Sequence, residues 1–252
     1  MRFPRFSIPT YFLLLALPLS FFISSLGLAF LGREIIAYER QSIIERDTIY
    51  SRTVAEAVRH HVLNNVRFVE ALAREAEDRP FTSQDLQPLV QRFVLSNKMF
   101  HNMYIANVDG VAIADYFPAG VTPQERRSAF GQDYRDRQYY KDLLARRTTI
   151  ISDAVIGRVS GKPVVVIVAP IFGPDRSLVG FTEGALDLSP LLEIANAEAG
   201  EEVAVTYVVD ASGQVVAHSN RDRVLELANV DGLPPARQAL AGQRGWIDSY
   251  ID

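Results

Sequence analysis

The chain has 252 residues, of which 48% are hydrophobic, 10% aromatic and 22% charged. That balance fits one large or two small globular domains and excludes a disordered chain. A net charge of −4 with mixed signs leaves no electrostatic footprint for nucleic acid, and the absence of cysteine removes disulfide frameworks, thiolate catalysis and thiolate metal sites.

No charged residue lies between Arg5 and Arg33, and residues 11–32 are almost wholly apolar. As a helix this span would be about 33 Å long at ~1.5 Å per residue, which matches a bilayer hydrocarbon core of about 30 Å. Pro18 would break a soluble helix but is tolerated in a membrane one. The competing reading is a cleaved signal peptide with its small-residue site at Ser25-Leu26-Gly27. The apolar run continues past that site to Leu31, which favours an uncleaved transmembrane helix with the lipid bilayer as partner. Arg2 and Arg5 flank one side and Arg33, Arg40 and Arg46 the other, so the positive-inside rule does not decide orientation. The short tail, residues 1–10, is more simply left in the cytoplasm. The bulk of the chain is then extracytoplasmic, on the periplasmic side of an inner membrane.

From Arg33 to Asp78 the pattern is helical. Val54, Val58, Val62, Val66 and Val69, then Leu72 or Ala73, recur at three- and four-residue spacing, with charged residues on the other faces. Residues 33–78 therefore predict one stalk helix, far longer than the usual 11 or 12 residues. Ile36, Ile43, Ile44 and Tyr50 continue a looser stripe toward the membrane. Such a helix either packs along its own domain or pairs with its twin in a homodimer, and both are expected. Pro80 ends it, and Thr82-Ser83 can cap a helix over residues 84–95 that turns Leu86, Leu89, Val90, Phe93 and Val94 inward.

Strands follow. Residues 102–108 and 111–117 form a hairpin across Asp109-Gly110. The run Asp133-Tyr-Arg-Asp-Arg-Gln-Tyr-Tyr-Lys141 leads into a short helix, residues 138–146. Strands are expected over 149–157, 163–172 and 178–188, the last two joined by Gly173-Pro-Asp-Arg-Ser177. Alternate residues of a strand face one side of the sheet, so this block can fold polar tips over a half-closed sheet as a small-molecule pocket does. Ser189-Pro190 opens a helix to Ala199. Then come a strand over 203–209, the turn Asp210-Ala-Ser-Gly213, a strand over 214–218, a polar loop, a helix over 235–241 and a strand over 245–251. A strand ending in Val-Asp, a glycine turn and a second strand thus occur twice, the second time with two more residues in the turn, as two related α+β modules would.

The membrane helix, the long helix, Asp109-Gly110, the Asp133-to-Tyr140 run, Gly157-Arg-Val-Ser-Gly-Lys-Pro163, Ala169-Pro170-Ile171 and the run from Gly180 to Asp187, in this order, resemble the double Cache sensor domain. These PAS-like extracytoplasmic input modules occur in bacterial chemoreceptors, sensor histidine kinases and diguanylate cyclases. The resemblance implies two stacked modules with antiparallel sheets on the stalk helix. The membrane-distal one, residues 79–188, would bind ligand. Residues 189–199 would connect it to a membrane-proximal module over residues 200–252, whose sheet is expected to be incomplete.

The family's amino-acid-binding pattern is matched by Arg137, Tyr140 and Asp187, while Tyr139 replaces a tryptophan. Gln132, Val155 and Gly157 stand where the pattern has tyrosine, tyrosine and aspartate. A guanidinium can hold a carboxylate bidentately, whereas the missing aspartate weakens a cage for an amino group. The resemblance therefore implies a small carboxylate or another polar metabolite rather than an α-amino acid. Tyr104 and Asp115 alternate on the first hairpin and are candidates for the same cavity, as is Asp153 beyond it.

Each residue also has a plainer role open to it. Arg137 can bridge to Asp133 or Asp153, one of Tyr139 and Tyr140 can pack in the core, and Asp187 can favour a helix start. Catalysis finds little support. Gly157-to-Pro163 is one residue short of a phosphate loop and lacks its hydroxyl residue. His60 and His61 sit about 100° apart on a helix, and no Gly-x-Ser-x-Gly motif occurs. A non-enzymatic sensor without cofactor or metal is expected. A membrane-anchored structural or protein-binding module is the alternative, and a periplasmic hydrolase the third reading.

Overall fold

The computed structural model describes residues 8–117, 129–199, 206–218 and 220–243. The strand expected over 245–251 and the first residues of the strand expected from Val203 lie outside them. Two compact units divide the chain, residues 1–49 and residues 50–252. Helix α1 (Ile8–Glu77) is continuous through Pro18, and by length and composition it contains a stretch able to cross a membrane.

Within the second unit, α1 carries the apolar stripe read from the sequence. Val69, Leu72, Ala73 and Ala76 are buried against α2 (Ser83–Ser96), whose Leu86, Leu89, Val90, Phe93 and Val94 point the same way. Thr82 caps α2 by accepting from the Asp85 amide. Both helices lie on one face of a five-stranded antiparallel sheet in the order β2-β1-β5-β4-β3. The strands are β1 (Phe100–Asn107), β2 (Ala112–Tyr116), β3 (Ile150–Ile156), β4 (Pro163–Phe172) and β5 (Leu178–Leu186). Met103, Ile105, Ile167, Ala169 and Ile171 meet the helices. Tyr104, Ala106, Val164, Val166, Val168, Phe181 and Ala185 face the other side, where α3 (Gln138–Arg146) covers them with Tyr139, Tyr140 and Leu143. The period of two thus sorts each strand between two cores.

A second, two-stranded sheet pairs β6 (Tyr207–Val209) with β7 (Val215–His218). Helix α4 (Ser189–Ala199) leads to it, and α5 (Arg221–Leu225) and α6 (Pro234–Leu240) follow. Helix α5 occupies what the sequence reads as a polar loop, its amino terminus capped by Asn220. Leu188, Leu191, Val216 and Ala217 share a core with Ala154 and Val165 of the first sheet.

The internal repeat is closer than the sequence reading places it. The turn after Asn107 and the turn after Asp210 have the same length rather than differing by two residues. Asn107 N–H donates to Val111 O and Asp210 N–H to Gln214 O, both at 2.9 Å, and each turn closes through a glycine at φ 80° or 83°. Tyr134 N–H then bonds Gly110 O as Val230 N–H bonds Gly213 O, and α3 starts after Arg137 as α6 starts after Leu233. Asp210 corresponds to Asn107, not Asp109. The misalignment arose because both segments offer an aspartate ahead of glycine.

Close approach at β5 sets the helix-to-sheet spacing. A Cβ at Gly180 would lie 2.3 Å from the Ala106 carbonyl oxygen and 2.4 Å from the Phe81 ring. The carbonyl belongs to a paired strand and cannot swing aside. Gly180→Ala is therefore expected to cost about 1–3 kcal/mol of stability, read as a lowered urea midpoint with an unchanged m-value.

Candidate functional site

On the α3 side of the first sheet, three groups of residues enclose a small cavity. Asn102, Tyr104, Val166, Glu183 and Ala185 form its floor, Tyr134, Arg137 and Tyr139 one wall, and Val155 to Val159 the other. The floor follows from register, because Tyr104 of β1 and Val168 of β4 both stand opposite Glu183 of β5. An acid thus occupies the middle of a strand with neighbours on both edges. The first wall follows from the end of α3. Arg137 is its N-cap residue and offers no capping oxygen, so the side chain is free to enter the cavity.

Aromatic stacking shapes the interior. The rings of Tyr104 and Tyr134 stack at 4.5 Å with 21° between planes, and Arg158 lies over the far side of Tyr134 with its guanidinium 5.2 Å from the ring centre. The Tyr104 and Tyr139 hydroxyls are 3.4 Å apart. Burial holds the Tyr104, Tyr134 and Tyr139 phenols above their ordinary range, with Glu183 as the next cause, so all three stay neutral and able to donate.

Three polar atoms in this cavity are buried without a hydrogen-bond partner: Tyr134 Oη, Arg137 Nε and Glu183 Oε2. No ion pair within 4 Å joins Arg137 to Glu183, and the guanidinium donates a 3.4 Å hydrogen bond to Ile156 O. Burial raises the Glu183 carboxyl well above the carboxylate range, and Arg137 only partly offsets it. Leaving such groups unsatisfied costs about 1–3 kcal/mol each. Native interiors seldom tolerate this away from a functional site.

Of the residues singled out from the sequence, Arg137, Tyr139 and Tyr104 meet in this cavity, and so do Val155 and Gly157. Tyr140 lies outside it: its hydroxyl donates to Val108 O at 2.9 Å and its ring packs against Phe181, bracing the first hairpin. Asp115 accepts from the Ala129 amide at 2.8 Å while Gln87 bonds its backbone, which fixes the loop end. Asp153 sits on β3 outside the cavity lining, its carboxyl raised by burial and then by Asp210 and Asp142. Asp187 accepts from the Ser189 amide and sits 3.6 Å from His101. These two line a separate cleft of ≈ 470 Å³ with Lys162, Glu193 and His218. That cleft is larger, but Asp187 is already engaged and His218 Nδ1 accepts from the Asn220 amide. Among the described residues, no three histidines or acids converge as metal ligands.

Glu183, Tyr134, Arg158 and Asn102 are polar cavity residues that the sequence does not single out. The available signal for Glu183 was a lone acid inside the apolar run Leu178 to Leu186. Its titration gives a direct test. The folded state holds the Glu183 proton more tightly than the unfolded chain, so above pH 4.5 it binds more protons. This group's contribution to stability then falls as pH rises, until the folded carboxyl itself ionises. Glu183→Gln is expected to remove that slope: denaturation between pH 4 and 8 should show the variant gaining on the wild type as pH increases.

Comparison with known proteins agrees with this architecture. A profile of the Cache domain family matches residues 33–250. The ligand-binding domain of the Campylobacter jejuni chemoreceptor Tlp3, in complex with L-norvaline, superposes with a TM-score of 0.64 at 13% identity, covering 84% of this chain and 83% of that one. The ligand-binding domain of the Pseudomonas aeruginosa chemoreceptor PctC, in complex with GABA, gives 0.55 at 19% identity over 75% and 79% of the two chains. Sporulation kinase D of Bacillus subtilis is 24% identical over 161 residues, and the match spans 60% of this chain but 30% of the kinase. At these identities the structural likeness speaks for the fold. By the profile match over residues 33–250, the chain belongs to the Cache domain family, a family of ligand-binding sensor domains.

Proposed function

We propose that residues 79–188 form the ligand-binding module of a signal-transduction receptor, and that its ligand is a small zwitterion held by Arg137 and Glu183 inside the tyrosine cage. The observation that carries this reading is a pair of buried polar atoms without a hydrogen-bond partner, Arg137 Nε and Glu183 Oε2, in one cavity. Arg137 suits a carboxylate, and Glu183, ionised by the approach of a cation, suits an ammonium. The sequence favours a simple carboxylate because Gly157 stands where an acid is wanted. Glu183 reaches the same cavity from β5 and restores that acid. The ligands in the similar structures, among them L-norvaline, L-valine, L-glutamine and GABA, support the class.

In this reading residues 11–32 anchor the chain in the inner membrane. Residues 33–78 are the stalk through which two copies pair, residues 189–199 the connection, and residues 200–252 the membrane-proximal module. Ligand that binds one arrangement of the walls better than another shifts the population toward it. A displacement of α1 by an ångström or two would carry the change to the membrane.

A thermal-shift screen of the full chain in detergent tests the site. GABA, L-valine and L-glutamine would be compared with isovalerate and isobutylamine, which keep one charge each. A zwitterion at ~100 times its dissociation constant should add about 2.7 kcal/mol of stability, seen as a higher Tm. The single-charge analogues should shift it much less, and Arg137→Ala or Glu183→Gln should abolish the gain. A gain that survives both substitutions would place binding elsewhere.

A further inference from the structure

The cavity has a volume of ≈ 10 Å³, room for about one water. Any ligand of the proposed kind therefore needs its two walls to part. Besides the long Arg137 hydrogen bond to Ile156 O, the contacts that hold them together converge on one side chain. The Arg158 guanidinium donates to the Asp133 carbonyl and, at 2.6 Å, to Asp136 Oδ2, both on the opposite wall, while it stacks over Tyr134. The Asp136 side chain is 64% exposed, so this closure is weak enough to open.

Arg158 is also continuous with a strand that the second sheet grips. Gly157 and Arg158 follow directly on β3, which breaks register between Ile151 and Ala154. At that irregularity the Ala154 amide donates to Asp210 Oδ2 at 2.8 Å. Asp210 is the first residue of the β6–β7 turn, and its other oxygen accepts from the Ser212 and Gln214 amides. One carboxylate therefore ties the second turn to the strand that ends at the cavity mouth. The second half cannot duplicate the site, because Val230 and Leu233 stand where Tyr134 and Arg137 stand in the first.

On the reading that this cavity is the ligand site, we propose that Arg158 is the latch that closes it, and that β3 passes the state of the latch to the second sheet through Asp210. Release of Arg158 frees the β3–β4 turn. Because Ala154 is shared, the β6–β7 turn loosens with it. Coupling between two sites is reciprocal, so loosening the turn also loosens the latch.

Hydrogen exchange of the full chain in detergent, without ligand, reads this at named amides. Arg158→Ala should speed exchange at Tyr134, Arg137, Gly157 and Gly161 by about two- to tenfold, the worth of an exposed ion pair and a cation–π contact. Ala154, Ser212 and Gln214 should quicken with them, and helix α2 should not. Asp210→Asn should quicken the same mouth amides from the other end. Unchanged mouth amides in Arg158→Ala would overturn the latch, and a faster mouth with unchanged Ala154 and Gln214 would overturn the relay. Should Arg158→Ala unfold and α2 exchange as well, Asp136→Asn, which alters only the exposed partner, decides by the same amides. A positive exchange result beside a negative ligand screen would reject the ligand site and leave the latch standing.

Discussion

The inner strands β1, β5 and β4 of the first sheet are buried on both faces, and the rest of the structure answers to that condition. The central strand β5 hydrogen-bonds on both edges and carries Gly180 and Gly184 toward the helices and Phe181 and Glu183 toward α3. Gly180 and Gly184 let Phe81, Phe100 and Val69 come within contact of the strand, so α1 and α2 lie close against it. On the opposite face of the same strand stands Glu183, 3% exposed. Bulk solvent barely touches this acid, and no protein donor bonds its Oε2. The fold thus positions a group whose needs a ligand can meet.

Local departures from good helix and strand chemistry cluster at that point. An arginine serves as N-cap of α3, an acid interrupts an apolar strand, and three tyrosines crowd one cavity. Many other points follow ordinary rules: Thr82 caps α2, and Gly110 and Gly213 close their turns at positive φ. Leu233, which starts α6 without a capping oxygen, and Leu227 at φ 49° depart from them as well. Sequences tend to violate local preferences where function demands it, and the three departures around Glu183 share one cavity.

The repeated hydrogen-bond plan separates architecture from chemistry. The turns at Asn107 and Asp210 and the helix starts at Arg137 and Leu233 are held by the same backbone bonds, so neither depends on ligand-binding side chains. What differs is the set of side chains projected from the plan. Valine and leucine in one copy project no polar group, while Tyr134 and Arg137 in the other project a neutral hydroxyl and a charged guanidinium.

Hydrophobic periodicity and turn chemistry, which are local, were enough to read the long helix, the strands of the first sheet and α3, while the Cache-type class came from the resemblance of the ordered motifs to that family. Arg137 and Tyr139 were picked out by the resemblance to the family's amino-acid-binding pattern, and Tyr104 by alternation along the first hairpin. Glu183 and Arg158 were not, nor was the separation of Asp187 and Tyr140 from the cavity. Glu183 and Tyr104 are far apart in the chain and become neighbours only through the β1–β5 register. Arg158 reaches Asp133 and Asp136 only because the β3–β4 turn folds over α3's first residues. Register and wall-to-wall closure are set by how strands pair across long loops, and no local pattern records that pairing.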